Sequence, residues 1–240
     1  MDLNIEDYKY KGLIGISYID IPRLVLDILK SDERYSSLVT EVNIPNISGI
    51  KKSAVSDIAG GILAGTVGIG WGSRTGGSIM LSGSPVKAVI FEEMDKGMGE
   101  YIRLIFQVPN GKYGSAKLEP KTKGYIRPTI IGADFNGKNV PGLEELRKNQ
   151  DLMNEAFFVE KLPRLAFVRD SYSSFIIRFE KKSGVQYGIV ESALFKDAMR
   201  PGSLEEKHNI TFVQITSRLL DFMFTIALHV AAAAQGASVP

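Results

Sequence analysis

The spacing of apolar residues changes period several times along the chain, and each change marks an element. Leu24, Val25, Ile28 and Leu29 recur at helical spacing behind Asp20, Ile21 and Pro22, a cap residue followed by a proline suited to a first turn. The β-branched, partly alternating run from Lys11 to Ile19 predicts a strand before that helix. After the polar stretch SDERYSS, Leu38, Val39 and Val42 predict a second short helix, and Val55, Ile58, Ile62 and Leu63 place a third over 53–64.

From Thr66 the period falls to two. Val67, Ile69 and Trp71 then share one side while Gly68, Gly70 and Gly72 share the other, which predicts a strand with one bare face. A turn at SRTGG returns the chain through 78–82, and strands follow at Val86–Glu92 and Tyr101–Val108, joined through DKGMGE. Asn110-Gly111 predicts a type I′ hairpin with its return strand at Tyr113–Leu118, because both residues tolerate positive φ. GYIRPTII is extended and FNGKNVPG reads as a loop. Leu143 to Leu162 predicts a helix that ends before Pro163.

Three further strands are expected at Leu165–Arg169, Phe175–Lys181 and Gln186–Ser192, the last two joined by KKSG. Ser203 and Glu206 have capping-box spacing and predict the start of a final helix that reaches Ala234. In that helix Leu219, Leu220, Phe222, Met223, Phe224, Ile226, Leu228 and Val230 surround the axis, a pattern that requires burial on most sides. Strands in runs, broken irregularly by helices, indicate an α+β fold of mostly antiparallel sheet built of hairpins, with a long apolar C-terminal helix. With 240 residues, 44% of them hydrophobic, the chain is expected to form a single compact domain over 1–240, or two lobes at about 1–135 and 141–240.

The chemistry narrows by exclusion. There is no cysteine, hence no disulfide, zinc thiolate or thiol nucleophile. The two histidines, His208 and His229, lack metal-ligand spacing, and no G-x-S-x-G elbow occurs. The glycine-rich run Ala59–Gly77 offers the four-residue gap of a phosphate loop between Gly72 and Gly77, yet Ser78 stands where the lysine belongs; Gly68, Gly70 and Gly72 lack the third glycine of a dinucleotide fingerprint. Glu119-Pro120-Lys121 has the E-x-K spacing of some nucleases, with a proline ill suited to a central strand. No catalytic residue, metal or cofactor is assigned.

Net charge is only +2, so attraction to a polyanion requires a local cluster. One exists. Lys112, Lys117, Lys121, Lys123 and Arg127 face a single acid, Glu119, across 110–128, with Tyr113 and Tyr125 among them, the combination of cations and aromatic rings that single-stranded nucleic acid or RNA uses. A lysine-rich hairpin also protects a sheet edge from aggregation. Only 16 residues between Asp57 and Arg74 are free of charge, too few to span a bilayer, and Arg218 and Asp221 interrupt the final helix, where i, i+3 spacing allows them to pair. MDLNIEDYKYKG has no apolar signal-peptide core, so a cytoplasmic protein is expected, without membrane contact.

These features point first to a non-enzymatic, self-associating accessory or structural subunit of a larger intracellular assembly, a homodimer in the simplest case. Its interface is expected to use the bare glycines Gly68, Gly70 and Gly72 with Phe222, Phe224 and Leu228 of the last helix. The alternatives are a nucleic-acid-binding subunit, for example of an RNA-guided complex, using the basic hairpin, and a metal-dependent nuclease or hydrolase.

Overall fold

The computed structural model describes residues 3–11, 17–44, 75–93, 99–124, 129–156, 175–195 and 210–236. The predicted elements at 53–64, 66–72 and 165–169 and the Ser203–Glu206 box lie outside the described residues, as do Gly68, Gly70, Gly72, Tyr125 and Arg127. Within them the fold is α+β, with one antiparallel eight-stranded sheet and helices packed on one of its faces.

A 3₁₀ turn at Ile5–Tyr8 leads into a two-stranded hairpin, β1 (Lys9–Lys11) and β2 (Ser17–Ile19). Helix α1 (Ile21–Ser31) follows, capped as its sequence predicts: the Asp20 carboxylate accepts a hydrogen bond from Arg23 N at 3.1 Å, and Pro22 sits in the first turn. Its stripe of Leu24, Val25, Ile28 and Leu29 is buried. Helix α2 (Glu33–Ser36) is a single turn, and the short helix expected from Leu38 to Val42 is instead strand β3 (Val39–Asn43), drawn into extended form by antiparallel pairing with β4 (Thr75–Leu81).

Strands β5 (Val86–Glu93) and β6 (Gly99–Val108) continue the meander. The hairpin expected at Asn110-Gly111 does not form. β6 pairs with β10 (Val185–Phe195), β10 with β9 (Phe175–Lys182), and only then comes β7 (Ser115–Lys123), paired with β8 (Thr129–Lys138). The sheet order is therefore β3-β4-β5-β6-β10-β9-β7-β8. Residues 109–114 cross beside the β9–β10 turn rather than folding back, and neither Asn110 nor Gly111 has a positive φ. The tight two-residue turn lies at Ser183 (φ 48°) and Gly184 (φ 82°), between the registered pair Lys182 and Val185.

After β8, which runs on through the FNGK predicted as loop, Gly142 (φ 70°) opens α3 (Leu143–Lys148). The single helix expected over 143–162 is interrupted at Asn149, whose side-chain oxygen accepts from Leu152 N at 3.0 Å and starts α4 over residues 150–156. The last helix, α5 (Phe212–Ala234), starts later than the Ser203–Glu206 spacing predicts: Thr211 is its extended cap, in a capping box where Thr211 and Gln214 each bond the other's backbone, and it ends where Gly236 turns left-handed (φ 71°).

Helices α1 and α5 lie on the face formed by residues such as Val89, Leu104, Phe106, Phe175 and Val190. Within that core Phe222 lies edge-on to Phe175, with ring centroids 4.9 Å apart, and parallel to Phe135, while Phe224 stacks on Tyr35 at 4.4 Å. The opposite face carries a smaller cluster of Ala88, Ile90, Ile105 and Ile189. Beside it Arg103 bridges Glu92 and Glu191 across β5, β6 and β10.

The two charges inside α5 do not pair with each other. Asp221 accepts from Arg34 at 2.8 Å and from the Tyr35 hydroxyl at 3.3 Å, and Arg218 reaches Glu155 of α4 at 2.7 Å. Each fastens α5 to a neighbouring segment. By length and composition α5 could cross a membrane, with a mean hydropathy of 1.3, but 61% of that window is buried inside the protein.

Candidate nucleic-acid interface

The alternation in β7 sorts its side chains by face. Ala116 and Leu118 are buried toward the helices, whereas Lys117, Glu119, Lys121 and Lys123 point to the opposite, exposed face. Register then adds β8: Lys117 is opposite Asn136, Glu119 opposite Asp134, and Ser115 opposite Lys138. Lys138 thus lies diagonal to Lys117 on the same face. The sequence reading missed it because FNGKNVPG looks like a loop; the signal was the strand-compatible alternation of Ala133, Phe135 and Gly137 inward with Asp134, Asn136 and Lys138 outward.

Two of these groups are already engaged. Lys121 Nζ lies 2.9 Å from Asp134 Oδ2, and Asn136 Nδ2 donates to Glu119 Oε2 at 2.9 Å. Lys112, exposed in the crossing segment, and Lys117, Lys123 and Lys138 form no ion pair among the described residues. Along an extended strand Lys117 and Lys121 are separated by about 13 Å and Lys121 and Lys123 by about 7 Å.

Tyr113 stands apart from this face. Its ring stacks on Phe179 with centroids 4.6 Å apart, and its hydroxyl donates to Pro109 O at 2.9 Å. Of its two ring faces, one is therefore taken by the protein itself.

β8 is the end strand of the sheet order, and two devices blunt it. A register irregularity between Lys121 and Thr122 pushes out Ile131, which is 59% exposed, and Arg147 of α3 donates from Nε and Nη2 to Phe135 O at 3.0 and 2.5 Å. The lysines share this edge without being its sole protection.

The helix residues assigned to an interface separate in the fold. Phe222 and Phe224 are buried at 3% and 1% exposure within their own chain, and Leu228 is 37% exposed. His229 is committed to structure: its Nε2–H donates to Gly142 O at 3.0 Å, tying α5 to the start of α3. Among the described residues no three His, Asp or Glu side chains gather as a metal site. Comparison of the chain with family models, with curated proteins and with solved structures gives no match.

Proposed function

We propose that this chain is a non-enzymatic accessory subunit that binds nucleic acid through the exposed face of β7 and β8. The observation that carries the reading is that Lys117, Lys121, Lys123 and Lys138 emerge on one side of a paired two-strand ribbon, with Lys112 at its approach. A rigid row of ammonium groups on a sheet neutralises successive phosphates without reordering the backbone, and displaces their counterions. Fluorescence anisotropy with labelled 20-mer oligonucleotides tests it. The combined variant Lys112→Ala, Lys117→Ala, Lys123→Ala is expected to bind at least about tenfold more weakly than the wild type at equal salt. Equal affinity of the two proteins, or no binding by either, rejects the proposal.

Self-association is a second reading, supported by Leu228, an exposed apolar side chain on a helix whose neighbouring residues are mostly buried. It predicts a mass above 26.3 kDa in light scattering, reduced by Leu228→Lys. A monomer at high concentration removes it.

A further inference from the structure

We infer that this face contacts phosphates without reading base sequence, and that Glu119 and Asp134 are what limit it: they withhold Asn136 and Lys121, leaving Lys117, Lys123 and Lys138 as the contacting cations. The inference rests on the nucleic-acid reading above and specifies its mode.

Asn136 is the side chain on this face suited to recognising adenine, since an asparagine amide can bond that base through both its groups. One of its two Nδ2–H groups is donated to Glu119 Oε2 at 2.9 Å, which holds the amide across the strand pair. Lys121 is held in a comparable way, 2.9 Å from Asp134 Oδ2. Asp134 is itself fixed, because its Oδ1 accepts from Phe135 N at 2.9 Å and lies 3.8 Å from Arg147 Nε. Paired with Asp134, Lys121 presents no net charge to a phosphate and displaces little of the counterion layer condensed on the duplex. Exposed lysines without an ion pair keep their full charge and, on meeting a phosphate, release the counterion condensed there. Equivalent residues on one strand are thereby unequal in binding, and Asp134 acts as a built-in attenuator.

The test is a salt titration of duplex binding, from about 50 to 200 mM, by wild type and single variants. Lys117→Ala, Lys123→Ala and Lys138→Ala should each make the slope of log affinity against log salt less negative by about 0.9, Lys121→Ala should leave it nearly unchanged, and Asp134→Asn should make it more negative by about 0.9. The asparagine keeps an acceptor for Phe135 N, and circular dichroism checks that each variant is folded. Duplexes of A·T, G·C and mixed sequence should bind within about twofold of one another. A Lys121→Ala effect equal to that of Lys117→Ala, an unchanged Asp134→Asn slope, or a tenfold spread across sequences overturns the inference while leaving nucleic-acid binding in place. No binding by the wild type rejects both.

Discussion

Tyr8 and Tyr35 are phenols that the folded chain keeps neutral. Both are pushed up to about 12, Tyr8 by burial and then by its hydrogen bond to Asp27, Tyr35 by burial and then by the Asp221 carboxylate. The unfolded chain gives up these protons near pH 10. Between pH 10 and 12 the native state therefore holds protons that the unfolded state has lost, and stability falls as pH rises through that window. Chemical denaturation at a series of alkaline pH values should show the decline, with Tyr8→Phe flattening part of it; a wild-type midpoint constant from pH 9 to 12 would contradict the assignment. At the acid end Asp32 is held below the usual carboxylate range, chiefly by its hydrogen bond from Arg34. Not all such partnerships can be read from sequence. Asp221 and Arg218 sit three apart and invite pairing with each other, yet they bond Arg34 and Glu155, 187 and 63 residues away. Helical spacing shows which charges could meet locally but says nothing about tertiary partners that approach more closely.

Element by element, local pattern was a good guide wherever the pattern itself set the structure. The α1 cap and stripe, the β5, β6, β9 and β10 strands and the end of α5 at Ala234 follow from periodicity and turn chemistry. The failures have one cause in common, which is that strand pairing is decided at long range. Asn110-Gly111 has the composition of a tight turn, but the β9–β10 hairpin occupies the place beside β6, so the chain crosses instead. Leu38 to Val42 has apolar spacing that suits a helix, but β4 offers it a partner. The β9–β10 turn supplies a stability prediction. Ser183 adopts φ 48° in a position that glycine or asparagine occupies with less strain. Ser183→Gly should raise stability by about 0.5–1 kcal/mol in a denaturant titration; a loss of similar size would show that the serine contributes something the turn geometry does not reveal.

For the whole molecule, a net charge of +2 conceals an uneven distribution. Acids and arginine beside the buried cluster at the centre of the sheet's second face are matched to one another, as in Glu92–Arg103–Glu191, whereas β7 and β8 carry a surplus of exposed lysine at the end of the sheet. The cluster was legible in the sequence, and its common face was implicit in the alternation of β7. Lys138 was hidden by a loop-like sequence, and the partners of Glu119 and Asp134 were not legible, because they depend on the β7–β8 register. The aromatic element of that reading also changes, since Tyr113 packs on Phe179. What remains is an account in which charge, rather than base stacking by Tyr113, drives binding. Its most direct test is the affinity of the wild-type protein for a mixed-sequence duplex, measured as a function of salt. The account predicts a straight line of log affinity against log salt with a slope of about −2.7 to −3.6, from three or four phosphate contacts; a slope near zero, or no measurable binding at about 50 mM salt, would contradict it.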